Sequence, residues 1–204
     1  MKLIRLVHFL LLFALFLTSC IVPESTHIAP QFFLLSSSSK EEKVDGLNDI
    51  SFYIKEVELP SYLIDNRLVF RPHAESLEFR ENIRWGEPLE EGIGRVIGQN
   101  LSDLSGSLKF SVFPHRQKVT CDWEVGITVV RFEKNSSKTV VLKAFWEIEK
   151  STGFSQRLSF EQEFPIQGTM VRDEVYSMSE ALHGLSSTIA ETLQSVSQSI
   201  NEKK

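Results

Sequence analysis

The chain has 204 residues, 42% of them hydrophobic, with 22 Lys+Arg against 27 Asp+Glu and a formal charge of −5. An acidic balance without a basic stripe argues against a nucleic-acid binder and supplies no polybasic segment for an anionic membrane surface. Two cysteines, Cys20 and Cys121, are too few for a disulfide framework.

Residues 1–19 have the parts of a secretory signal. Lys2 and Arg5 form a positive n-region, and Leu6 to Leu17 is apolar apart from His8. That run is too short to cross a hydrocarbon core of about 30 Å as a helix. A plain secretory signal would account for this much. The cysteine directly after Leu17-Thr18-Ser19 adds a different chemistry, because Leu-Thr-Ser-Cys resembles the bacterial lipobox, in which the thiol of Cys20 is lipidated and the chain is cut before it. Two or more acyl chains anchor stably where one does not. An Asp at residue 21 would favour retention at the inner membrane under the enterobacterial sorting rule; Ile21 points instead to the outer membrane, facing the periplasm. Cleavage removes Lys2 and Arg5 and no acidic residue, leaving 20 basic against 27 acidic side chains and a charge of −7. The organisation expected is a signal peptide at 1–19, a lipidated tether at 20–30 and one domain at 31–204, long enough to bury a core without staples.

Gln31 to Leu35 reads as a first short strand, and the Ser-, Lys- and Glu-rich stretch 36–49 as a solvated loop. Ser51 to Leu59 alternates, with a break between Ile54 and Val57 that predicts a bulge near Lys55-Glu56. Pro60 ends that strand, and Tyr62 to Asn66 suits one helical turn. Leu68-Val69-Phe70 and Ser76 to Arg80 read as strands joined at Pro72-His73. Pro88 to Leu104 is the first helix: Pro88 and Glu87, Glu90 and Glu91 suit its start, Leu89, Ile93, Val96, Ile97, Leu101 and Leu104 make one stripe, and Gly106 stops it. Strands follow at 108–113, 122–133, 138–150 and 154–164, expected to form an antiparallel meander. The second helix runs from Asp173, a plausible N-cap, to about Ile200 with one apolar face. The class is α+β: a mostly antiparallel sheet with two main helices packed on one face, a two-layer sandwich.

Little in the chain speaks for catalysis. Gly92, Gly94 and Gly98 mimic a glycine fingerprint, but they fall inside a helix already begun, with no strand immediately before it; close packing against the sheet or another subunit is the simpler role. The histidines show no metal-ligand pair, and neither HExxH nor GxSxG occurs. Catalytic residues, metal ligands and cofactors are therefore not expected. Cys121, beside Trp123, reads as a structural thiol. Arg84-Trp85 stands in an apparent loop before the first helix, and Trp with Arg is a frequent interface anchor. Arg84, Trp85 and Leu89 are the candidate partner interface, with Trp85 as a core residue at the helix entrance the equal alternative. Truncating Trp85 to Ala would weaken partner capture in the first case and unfold the domain in the second.

Several segments, in order, resemble the ABC-type transport auxiliary lipoprotein family, the PqiC/YmbA-type membrane-integrity lipoproteins. They are the lipobox, the strand Gln31–Leu35, Val57-Glu58-Leu59-Pro60-Ser61-Tyr62-Leu63, Leu68-Val69 and, most specifically, Arg84-Trp85-Gly86-Glu87-Pro88-Leu89, close to the family's R-W-A-E-P-L. Gly86 departs from the usual Ala, and Ile64-Asp65-Asn66 intervene before Arg67. The resemblance implies a non-enzymatic subunit beside a permease, an ATPase and a PqiB-like MCE-domain protein. Its role would be that of an adaptor that docks the MCE lipid tunnel at the outer membrane, and its assembly a homo-oligomeric ring. A lipid-binding carrier that itself holds phospholipid, and a structural or assembly lipoprotein of the envelope, are the rival readings.

Overall fold

The computed structural model describes residues 28–38, 43–114 and 121–202; the signal segment, Cys20 and residues 21–27 of the tether lie outside them. Two branches of strands meet on one long central strand. In chain order the elements are β1 (Gln31–Phe33), β2 (Phe52–Glu58), a 3-10 turn (Ser61–Leu63), β3 (Arg67–His73), β4 (Ser76–Trp85), α1 (Leu89–Ser105), β5 (Phe110–Val112), β6 (Trp123–Asn135), β7 (Thr139–Lys150), β8 (Ser155–Pro165) and α2 (Val171–Asn201). On one side of β6 lie β7 and then β8, both antiparallel to their neighbours. The other side is shared. β2 runs parallel to the first half of β6, from Phe52 opposite Trp123 to Glu58 opposite Thr128. β3 runs parallel to its end, with Phe70 opposite Lys134. β5 pairs parallel with β2, while β4 and then β1 extend the β3 branch.

The α+β class holds. The sheet, mostly antiparallel through β3–β4 and β6–β8, is not purely so, because β2 and β3 follow one another along one edge of β6 in its own direction. The meander comprises β6 to β8 alone; β5 joins β2 instead of β6. The bulge in β2 is present as a register shift between Ile54 and Val57.

Both helices lie on the face of β6 and β7 that carries Trp123, Val125, Ile127, Leu142, Ala144, Trp146 and Ile148, all buried. α1 packs on β2 and β5, α2 on β6, β7 and β8, and the helices touch each other. Pro88 is the N-cap of α1, Glu90 and Glu91 stand in its first turn, and Gly106 closes it in the left-handed conformation (φ +69°), which costs a glycine no Cβ clash. α2 begins one turn differently from expectation. Met170 is the N-cap, and Asp173, at the third helical position, accepts a 2.9 Å hydrogen bond from the Met170 N–H. Near that start Glu174 is buried and paired with Arg80 of β4 at 2.9 Å and with Lys134 of β6 at 3.6 Å. One helix end is thus tied to the β3–β4 branch and to the central strand.

The polar segment after β1 is stitched down rather than free. The Ser36 N–H donates to Ser179 Oγ of α2, and the Ser38 N–H to Asn100 Oδ1 of α1. The buried Asn100 also donates to Ser186 Oγ of α2 at 3.4 Å, so one side chain links both helices and the loop. Leu47, at 1% exposure, is a core residue.

Gly94 and Gly98 bring α1 close to the sheet. A Cβ at Gly98 would lie 2.7 Å from Val112 Cγ2 and 3.3 Å from the Phe110 ring, and one at Gly94 3.3 Å from Val112 Cγ1. Overpacking of this kind typically costs about 1–3 kcal/mol. Gly98→Ala should therefore lower the thermal midpoint by several degrees. An unchanged midpoint in calorimetry would mean that the short strand β5 yields to the helix.

Candidate partner-binding surface

The segment Arg84-Trp85-Gly86-Glu87-Pro88-Leu89 is where three elements are joined. Trp85 is the last residue of β4, and its N–H donates to Asn66 O at 2.6 Å. The Gly86 N–H donates to Phe33 O of β1 at 2.9 Å. A Cβ at Gly86 would meet Leu34 Cδ2 at 3.2 Å, so this glycine accommodates the side chain just after β1. Glu87 pairs with Arg95, whose Nη2 also donates to Leu35 O. Trp85 and Leu89 are 5% and 4% exposed. This corrects the interface reading of the trio: two members belong to the core beneath α1, and only Arg84, half-buried with its Nε donating to Glu81 O, keeps surface for a partner. The missed signal was periodicity. Leu77, Phe79, Ile83 and Trp85 alternate along one continuous strand, interrupted only by Glu81, which pairs with Arg67.

The sheet face opposite the helices is charged. Lys55 of β2 reaches across β6 to Glu147 and Glu149 of β7, at 3.1 Å each. It can do so because Gly126 lies between: a Cβ there would meet Glu147 Oε1 at 2.9 Å and Lys55 Cε at 3.1 Å. Burial lowers the Lys55 ammonium, but the two carboxylates outweigh it and hold its pKa above the usual lysine value. Thr128 donates to Glu58 at 2.9 Å, and Arg157 lies 5.4 Å over the ring of Phe145. Lys55, Glu58, Thr128, Phe145, Glu147 and Arg157 line an open concavity of about 320 Å³. Exposed apolar side chains concentrate instead at the ends of the two branches. Phe32 and Leu34 are 62% and 56% exposed around β1, and Leu108, Phe110 and Phe113 surround β5.

Between β2 and β3 the chain leaves the sheet and is braced on its way back. Tyr62 of the 3-10 turn donates to Glu133 Oε2 at 2.8 Å. Burial, together with the adjacent Glu133 carboxylate, pushes the phenol up to about 12. Asp65 accepts from the Arg67 N–H and, through both oxygens, from its guanidinium at 2.8 and 2.9 Å. These hydrogen bonds hold the Asp65 carboxyl below its usual range, and Arg67 lies 4.8 Å over the Phe79 ring. Asp122 is lowered likewise by hydrogen bonds from the Ser51 side chain and N–H. Cys121 is half-buried beside it, and desolvation raises its thiol, which disfavours the reactive thiolate.

A mixed sheet with two helices on one face, a hydrogen-bonded junction at the Arg-Trp segment and a braced turn at Tyr62 define a scaffold with two apolar sheet ends. The model of the ABC-type transport auxiliary lipoprotein component matches residues 33–190. This chain belongs to that family. Among solved structures, it is similar to one described as that of an uncharacterized protein, with 18% identity and a TM-score of 0.68 over 81% of this chain and 99% of the other. It is also similar to protein XCC0632 from Xanthomonas campestris, with 11% identity and a TM-score of 0.69 over 84% of this chain and 99% of the other. At these identities the likeness concerns the fold. No functionally curated protein matches the chain.

Truncation of a buried Trp usually costs about 3–5 kcal/mol. Trp85→Ala should accordingly show a large loss in chemical denaturation; a stable, well-folded variant would return Trp85 to the interface. Tyr62 gives a pH test. Its neutral form is the one stabilised, so its contribution is complete below the unfolded value of about 10 and is lost as pH rises through about 12. Denaturation curves between pH 9 and 12 should fall more steeply for the native chain than for Tyr62→Phe, and parallel curves would remove the brace.

Proposed function

We propose that this protein is the membrane-anchored auxiliary subunit of an MCE/ABC-type envelope lipid transport system, docking the periplasmic MCE tunnel at the outer membrane. The family match over residues 33–190 carries the reading. The lipobox at Cys20 supports the anchor, and Ile21 supports the outer membrane over the inner. In this role the chain turns over no substrate. It holds a protein partner at a membrane, and the exposed apolar residues beside β1 and β5 are the surfaces it offers. Those two ends are unlike one another. Contacts between unlike surfaces of identical subunits are heterologous and close into a ring when the rotation permits, which is how a homo-oligomeric ring would be built.

The carrier alternative requires an apolar cavity for an acyl chain. The clefts at Lys55 and at Arg71 are open and lined chiefly by charged and polar side chains, a lining that suits a protein partner better than an acyl chain.

Detergent pull-down of the full-length protein from its native envelope, with mass spectrometry of proteins and lipids, should recover an MCE-domain protein. Phospholipid without that protein would replace the docking role by the carrier, and recovery of neither would leave an envelope structural lipoprotein. In parallel, Cys20→Ala should move from the membrane to the soluble fraction; continued membrane association would exclude lipidation as the anchor.

A further inference from the structure

The hairpin turns after β3 and β6 flank an open cleft of about 630 Å³ whose lining includes Arg71, His73, Glu75, Arg131, Asn135 and Ser136. Beneath it lies Glu133, which is fully buried. The register shift in β6 between Val129 and Arg131 places Arg131 and Glu133 on the sheet face away from the helices. Glu133 Oε1 accepts from Arg71 Nε at 2.7 Å and from Arg131 Nε at 2.9 Å. Its Oε2 accepts from Tyr62 OH at 2.8 Å and from the Phe132 N–H at 3.0 Å. Four donors fill the acceptor positions of this carboxylate.

Two guanidinium groups are thereby held side by side on one negative charge. Arg71 Nη1 donates to Ala74 O at 2.9 Å. The Arg71 guanidinium also lies 5.4 Å over the Tyr62 ring, whereas Arg131 bonds Glu133 through Nε and is the more open of the two, 32% exposed at the side chain against 16%. Glu75 stands on the exposed rim and is bonded to neither arginine. A buried carboxylate saturated by its own donors fixes both guanidinium groups and offsets one of their charges, presenting the Arg131 fork, with Arg71 beside it, at a cleft whose rim also carries Glu75. Planar guanidinium forks match tetrahedral oxyanions in geometry as well as charge.

We propose that this cleft is a binding site for a phosphate group, with Arg131 and Arg71 as donors and Glu133 as the positioning residue. The group could reach the cleft as the headgroup of an anionic phospholipid or as free phosphate; the chemistry of recognition is the same. The inference does not depend on the docking role, and binding can be measured without any partner.

The test is calorimetric titration of the full-length protein in a neutral detergent with two probes, inorganic phosphate and dihexanoyl phosphatidylglycerol. Saturable binding of at least one is expected. Phospholipid alone would identify a headgroup site, and equal binding of both would identify free phosphate as sufficient. Arg131→Gln retains the Arg71–Glu133 pair and should bind on the order of tenfold more weakly, as expected for loss of a charge-assisted contact; because it also removes a partner of the buried Glu133, its midpoint of thermal unfolding should fall, and binding is measured well below that midpoint. Arg131→Lys, which keeps the charge but not the fork, should also weaken binding and decides the matter if Arg131→Gln does not fold. Glu75→Gln should bind at least as tightly as the native chain. Absence of saturable binding by both probes, or undiminished binding by the Arg131 variants, would reduce the cluster to a brace for the two hairpins.

Discussion

One edge of β6 has to be filled by two strands laid end to end, and much of the domain follows from that constraint. β6 has thirteen residues, whereas β2 and β3 have seven each. Both run parallel to β6, so the chain must leave the sheet between them and rejoin it further along without reversing. Pro60, unable to donate to a ladder, begins the departure. The return is made by polar contacts: Tyr62 on Glu133, and Asp65 folded around Arg67. Buried polar groups demand partners, so the carboxylate of Glu133 near the end of β6 needs a hydroxyl from the departing turn and cations from β3 and from β6 itself. The two branches of the sheet then extend outward from the places where β2 and β3 are fixed.

Local pattern was a good guide wherever an element buries one regular face. The stripe of α1, the alternation from Trp123 to Val129, and the bulge after Ile54 all appear in the fold with their expected faces. It failed where the deciding contact is distant in sequence. Nothing between residues 107 and 114 says that β5 lies beside β2 rather than β6, since each strand is compatible with either neighbour until α1 is in place. At the start of α2, Asp173 does cap, but from inside the first turn, because a carboxylate three residues on can satisfy the same N–H. Glu133 was invisible as one carboxylate among many. Its significance arises only when Arg71, sixty-two positions away, arrives beside it.

The Arg84-Trp85 segment illustrates why a distinctive motif need not mark a contact surface. Its tryptophan and leucine fill the core, its glycine makes room for Leu34, and its glutamate reaches Arg95. Each residue type is demanded by the meeting of β1, β4 and α1. The segment is thus a junction within the core, whereas the exposed positions Phe32, Leu34, Leu108, Phe110 and Phe113 lie at the ends of the two branches.

The position of β1 gives the domain a mechanical character. Any tension transmitted through the residues that precede β1 enters the domain there, at the end of one branch. β1 itself is held to β4 over only three residues, a fragile purchase if it were peeled away bond by bond. Tension directed along the strand would instead load that ladder in shear, with its bonds strained together. Behind it, Ser36 and Ser38 are fastened to α2 and α1, so load that passes β1 is divided between the two helices. The domain thus behaves as a cleat, in which the first short wrap takes the pull and the body of the fitting prevents slip.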